Sequence, residues 1–217
     1  MTSGEPLIRW DWIADHGGDI AAQGAQHVEL TVIAVGVGFV LAFALSLLIL
    51  RLPILEAPIT VVTGTLYTIP SLALFVILIP YTGFTVLTAE IGLVGYTLLI
   101  LIRNIVQGIR GVPADVREAA IGMGYAREQV LWRVEIPLAL AVIIAGVRVA
   151  TVSTIGLVTV TALIGQGGFG FLILIGIQRF FSTEIIVGAA LSIALAVLAD
   201  VLLVQVQRIL TPWTRTS

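Results

Sequence analysis

The groups in this chain best suited to polar chemistry lie in REAAIGMGYAREQVLWRVEIP, residues 117–137. Here Arg117, Glu118, Arg127, Glu128, Arg133 and Glu135 are interleaved with small residues and with Gly122 and Gly124. A carboxylate such as Glu118, set beside Ala119 and Ala120, can accept charge-assisted hydrogen bonds from a partner, while the small alanines let that partner approach the backbone. The rest of the chain is close to oil: 59% of its 217 residues are hydrophobic and 11% charged, with mean hydropathy +1.11.

Covalent chemistry finds no support. His16 and His27 stand isolated in or beside the N-terminal segment, and Ser71 sits next to Pro70 with no nearby base. A membrane-embedded hydrolase or transferase would need a His, Asp and Ser set or a metal cluster at membrane depth. The absence of cysteine removes thiolate chemistry and cysteine metal sites. Lysine is absent too, so all eleven positive charges are arginines and no phosphate loop of the Walker type can be built. If ATP is used, another chain binds it. Gly165-x-Gly167-Gly168-x-Gly170 lacks the preceding strand and the acidic partner of a dinucleotide site, and reads as close packing or a bend near the outer mouth.

The elements that must carry these residues are apolar runs of bilayer length. Leu30–Leu50 and Ala57–Ala89 hold no charge, and each reaches or exceeds the roughly 20 residues that cross a membrane. The expected class is an all-α, polytopic membrane protein with five spans: about Val28–Leu50, Ile59–Ile79, Val86–Ile105, Pro137–Val158 and Ile185–Val206. Pro70 should bend the second, with the hydroxyls of Thr68 and Ser71 meeting freed carbonyls. Residues 159–181 are apolar but broken by glycine, so a short interfacial or re-entrant helix is preferred over a sixth span.

Residues 1–26 are expected to form a polar extracytoplasmic tail, either touching the interface through Trp10 and Trp12 or disordered, and 213–217 a cytoplasmic one. With five spans, Arg51, Arg103, Arg110, Arg117, Arg127, Arg133, Arg208 and Arg215 fall on one side, and Arg9 and Arg179 on the other. That bias places the N-terminus outside and the C-terminus inside.

The middle loop, about 106–136, is long enough for two short helices. Val116, Ala119, Ala120 and Met123 recur at helical spacing with Arg117, Glu118 and Ile121 around them. Pro113 and Asp115 suit the first turn, and Gly122 and Gly124 permit a turn and a close approach. The second helix, about 126–134, would set Val130, Leu131 and Val134 against Arg127, Glu128 and Arg133, with Pro137 opening the fourth span. The loop is either a docking knob or a solvated anchor of topology.

Glu118-Ala119-Ala120, with Gly124 four residues on and Ile136-Pro137 beyond a second helix, resembles the EAA loop of bacterial ABC importer permeases. The likeness covers about 27–212 and implies a type I importer permease fold. TIPSLALF (68–75), IRNIVQGI (102–109), AGVRVATVSTIG (145–156), LIGQGGFG (163–170) and the terminal ADVLLVQVQRILTP are similar to the osmoprotectant branch, which imports glycine betaine, choline, carnitine or proline betaine. A permease for another small solute such as an amino acid, or an ATP-independent channel or carrier, is the alternative.

The resemblance implies a transport subunit in the bacterial inner membrane, binding no cofactor itself, with ATP and Mg on a pair of partner ATPase subunits. It also implies a second permease, identical or homologous, and an external binding protein, with membrane lipid around the chain and no nucleic acid. The coupling residues would be Glu118, Ala119, Ala120, Gly122, Gly124, Arg117 and Tyr125; Pro70, Ser71, Arg148, Thr151 and Thr154 are candidates for the path or its gate. Relatives in the branch carry a second proline where this chain has Ala141, so span four should be slightly stiffer here.

Arg148 is costly at its depth unless paired, snorkelled or wet. Neither Glu90 nor Asp200 is the expected mate; Arg148 faces the path or carbonyl ends, or else snorkels. Phe39, Phe43, Tyr67, Phe75 and Tyr96 are scattered, so packing rather than a cation–π box is the expected role of each.

Overall fold

Each apolar run becomes a helix, because backbone groups in hydrocarbon must be satisfied within their own segment. The computed structural model describes residues 6–215; residues 1–5 of the expected outer tail and 216–217 of the expected inner tail lie outside the described residues. In chain order the α-helices are α1 (Trp10–Asp15), α2 (Gly17–Arg51), α3 (Glu56–Thr68), α4 (Ser71–Thr82) and α5 (Val86–Arg110). After the loop helix α6 (Ala114–Gly122) come α7 (Arg127–Val130), α8 (Ile136–Thr161), α9 (Phe169–Arg179) and α10 (Ser182–Leu210).

Among the described residues four helical rods are long and apolar enough to cross a bilayer: α2, α5, the rod from Arg127 to Ile164, and α10. The pair α3 and α4 is long and apolar enough only when taken together, and it is bent by 100° at the break. Four rods and one broken pair are compatible with the five-span reading, and α9, with 11 residues, is too short to be a sixth.

α5 is the hub, with 61% of its most apolar window buried against 17% for α10. It packs between α2 and α8 and also meets α3 and α4. α2 faces it with a stripe of small residues four apart, Ala34, Gly38, Ala42 and Ser46, which lets the two backbones close up. The Thr97 hydroxyl of α5 occupies the space a Cβ at Gly38 would need. Between α5 and α8, Ile105, Ile109, Ala139 and Ile143 form the buried core nearer the loop end.

Two boundaries differ from expectation. α2 begins at Gly17 rather than near Val28, so residues 17–26 of the expected tail are helix, and His27 is not isolated. It is fully buried, its Nε2 3.0 Å from the Ile155 carbonyl, and its Nδ1 accepts from the Phe169 N–H at 3.3 Å. One ring thus pins α2 to α8 and α9. Nor does Pro137 open a new helix: α7 passes through a π-turn, Leu131–Glu135, into α8 without interruption. The Ile136 N–H bonds back to the Leu131 carbonyl, five residues earlier, and this shifted register carries the rod past a proline that has no N–H to donate. α4 likewise runs through Pro80 to Thr82 rather than ending there.

The ends of the bundle are distinct. The N-terminal segment meets the α9–α10 turn, with the Arg9 N–H donating to Thr183 Oγ1 at 3.0 Å. At the opposite end, the Arg51 guanidinium pairs with Glu128 at 2.8 Å. The start of α2 and the end of α10 therefore lie at opposite ends of the bundle. The glycine segment after α8 makes the bend expected of it: Gly165 and Gly168 have φ of +78° and +46°, and Gly170 sits directly on the Thr159 backbone.

Candidate functional site

The charged loop is built around α6. Its C-terminus closes as a Schellman motif: Gly124, at φ +89°, donates its N–H to Ile121 O at 2.9 Å, and the Tyr125 N–H reaches Ala120 O at 3.1 Å. This explains the spacing locally. Gly124 must be left-handed, four residues after Ala120, for the last carbonyls of α6 to be satisfied and for the chain to turn into α7.

α6 has an anchored side and an open side. Ala120 is buried and Val116 half-buried, while Glu118, Ala119, Ile121 and Met123 are exposed, the last two at 60% and 71%. The expected apolar stripe is thus divided, with Ala119 and Met123 turned outward beside Ile121. Gly122 is also exposed and has open space around it, so nothing within this chain requires a glycine there.

Arg117 belongs to the anchored side. Its Nε donates to Glu135 Oε1 at 2.6 Å, and its Nη2 donates to the carbonyls of Ile109 at 2.7 Å and Arg110 at 3.3 Å. A single guanidinium therefore caps the C-terminus of α5 and fastens α6 to the rod that becomes α8. The Arg110–Glu56 pair, at 2.8 and 2.7 Å, ties α5 to α3 beside it. Instead of two free helices, the loop is one short helix strapped to the end of the bundle; the second is the first turn of a spanning rod.

A second site lies at the break between α3 and α4. Ile69, held extended before Pro70 at ψ 128°, takes its carbonyl out of the helical ladder, and that carbonyl accepts from the Tyr96 hydroxyl of α5. Of the two nearby hydroxyls expected to serve freed carbonyls, Thr68 donates to Thr65 O at 2.8 Å, but Tyr96 was not foreseen. Tyr67 and Tyr96 meet edge to face with ring centroids 5.9 Å apart. They line a cavity of ≈ 460 Å³ together with Pro70, Ser71, Ser153 and Thr154. Two of the aromatics expected to be scattered, Tyr67 and Tyr96, are therefore paired at the broken helix, 29 positions apart in sequence. Phe75 is fully buried in the core, as a packing role requires, and Phe39 stacks on Phe43.

Arg148 and Thr151 do not reach this cavity. Thr151 donates back to Val147 O at 2.8 Å within α8. Arg148 binds both oxygens of Asp200, at 2.9 and 3.1 Å, and reaches Gln207 Oε1 at 3.4 Å. The expectation that Asp200 is not its mate is wrong. α8 and α10 run antiparallel, which brings a residue in the first half of one level with a residue in the second half of the other. The pair lies in an open groove of ≈ 540 Å³ between the two helices. Gln207 also donates to the Ala141 carbonyl at 3.3 Å.

Comparison with known proteins gives a consistent result. Residues 34–216 match the family of binding-protein-dependent transport system inner membrane components. The osmoprotectant import permease protein OsmW of Salmonella typhimurium is 38% identical, over 93% of this chain and 96% of the relative. The choline transport system permease protein OpuBB of Bacillus subtilis is 33% identical, over 93% of each chain. Among solved structures, a chain of the inward-facing MetNI methionine ABC transporter superposes with TM-score 0.77 at 20% identity, over 88% of this chain and 96% of that one. An amino acid ABC transporter gives 0.74 at 16% identity, over 93% and 98%. At these identities the structural matches establish the fold, that of a type I ABC importer permease.

Proposed function

The chain belongs to the binding-protein-dependent transport system inner membrane components, and we propose that it is the permease through which a bacterial ABC importer admits small quaternary-ammonium osmoprotectants such as choline and glycine betaine. In this reading it works as one of two permease subunits, receives its solute from an external binding protein, and is driven by a pair of ATPase chains that hold ATP and Mg. The N-terminus is outside and the C-terminus inside.

The observation that carries the reading is the divided surface of α6. Its inner side is fixed to α5 and α8 through Arg117 and Glu135, while Glu118, Ala119, Ile121, Gly122 and Met123 remain open. A displacement applied to the open side is passed to the ends of two membrane rods. Exposed apolar side chains on a strapped helix suit docking better than solvation alone. The names of the relatives support the solute class. The Tyr67–Tyr96 pair supports it as well, since aromatic faces attract a methylated ammonium without needing an N–H from it.

A second permease subunit is supported by the Arg148–Asp200 pair. Its side chains are 28% and 38% exposed at membrane depth, on a groove flanked by α10, the least buried rod. Charged groups in spans face protein or water rather than lipid tails. A neighbouring subunit over this face meets that requirement.

The test is uptake of labelled choline and glycine betaine into proteoliposomes holding the permease with its ATPase and binding protein. The expected result is accumulation that requires ATP and is abolished by omitting the ATPase chain. Uptake by the permease alone, or uptake of amino acids with no competition from quaternary amines, would overturn it.

A further inference from the structure

The end of the bundle opposite α6 carries a cavity for which coupling and the Pro70 break have no use. It measures ≈ 410 Å³ and lies between the start of α2, α9 and the start of α10. Trp12, Asp19, Gln23, Arg179 and Glu184 are among its lining residues. The wall is built: Trp12 stacks on His16 at 4.4 Å and meets Phe181 edge-on at 5.5 Å, which fixes the indole.

Three of its side chains, Asp19, Gln23 and Glu184, carry acceptor oxygens, beside His16 and the Arg179 guanidinium. Glu184 is only 4% exposed; one oxygen takes a long contact of 3.4 Å from Arg179, and Oε2 has no hydrogen-bond partner. The Gln23 Oε1 is likewise buried and unpartnered, and Asp19 adds an exposed second carboxylate. Arg179 is the opposing charge, but its side chain is 68% exposed and engages only one Glu184 oxygen. A buried carboxylate oxygen without a donor is destabilising, and a bound cation or donor relieves that cost. No three His, Asp or Glu among the described residues converge as metal ligands, which argues against a divalent ion.

We infer that this cavity is an outer receiving site for a small organic cation, with the methylated ammonium head against Trp12 and Glu184 and a hydroxyl donor available to Gln23. This rests on the functional reading above and extends it to a station at the mouth, before the Tyr67–Tyr96 cavity. The carboxylates of Glu184 and Asp19 favour choline, which has a donor and no carboxylate, over glycine betaine.

The experiment is isothermal titration of choline into the permease–ATPase complex in nanodiscs, without binding protein. Glu184→Gln weakens binding by about tenfold, one charge pair lost from a partly desolvated site. Trp12→Leu weakens it about two- to thirtyfold, the range of a cation–π contact. Arg179→Gln strengthens it, because Glu184 loses its competing counter-ion; misfolding cannot mimic a gain. Choline affinity unchanged in all three variants, in a complex that still imports choline, overturns the receiving site alone. A complex that imports no quaternary amine overturns the functional reading, and this inference with it.

Discussion

The α6 loop and the Pro70 break are both interruptions of helix, yet they are made in opposite ways. α6 is terminated by a glycine cap whose determinants all lie between Ala120 and Tyr125, and its outer side, with Glu118, is exposed. The break is completed across the bundle, by a buried tyrosine that supplies a donor to a carbonyl 27 positions away. Local closure leaves a surface free for another chain, whereas closure by a neighbouring helix leaves a cavity beside the break. The first arrangement suits a joint and the second a passage.

The most damaging way to break the comparison is to alter the open side of α6. Glu118→Lys should cost about 2–5 kcal/mol of docking, as expected for a hydrogen-bonded interfacial charge, and abolish co-purification of the ATPase while the chain still inserts. Gly122→Leu sharpens the same point. Because Gly122 has a helical backbone and no neighbour within van der Waals reach, the substitution should leave the chain folded and fail only in assembly. Gly124→Leu should also fail, but through left-handed strain in the cap, and Gly124→Asn should recover part of the loss.

Next in size is the pair between α8 and α10. Asp200→Asn or Arg148→Gln leaves one charge unmatched at membrane depth, a penalty of about 2.5–3.5 kcal/mol at a helix centre and less here because the pair is partly exposed. The double substitution with Leu at both positions should be milder than either single change, measured as permease-pair stability on native gels. Tyr96→Phe tests the break itself: losing the donor to Ile69 should lower bundle stability by about 1–3 kcal/mol and reduce uptake without affecting ATPase binding. Arg127→Ala, an exposed charge on the loop, is expected to change assembly by no more than about 0.5 kcal/mol.

How far each region was legible in the sequence follows from the same contrast. The spanning rods were readable because bilayer-length apolar runs have few alternatives, and the first loop helix and its cap were readable because their residues are contiguous. The direction of Arg117 was not: nothing in the spacing says that it turns inward to the end of α5. The Arg148–Asp200 pair was missed through an error of depth, corrected once α8 and α10 are counted from the same face of the membrane. Tyr67 and Tyr96 looked scattered because their meeting depends on the 100° bend at Pro70, and a proline announces a break without giving its angle. A buried His27 reads as isolated until its two partners, 128 and 142 positions away, are known.

The absence of cysteine makes the central claim directly measurable. Met123→Cys places a single thiol on the open side of α6, and Phe84→Cys places one in the turn between α4 and α5, at the other end of the bundle; both positions are well exposed. In the assembled transporter, with a cysteine-free ATPase bearing one thiol at a time along its permease-facing cleft, the account expects disulfide cross-links from position 123 that respond to ATP, and none from position 84. Cross-links from neither position in an ATP-driven importer, or cross-links from position 84 alone, would contradict it.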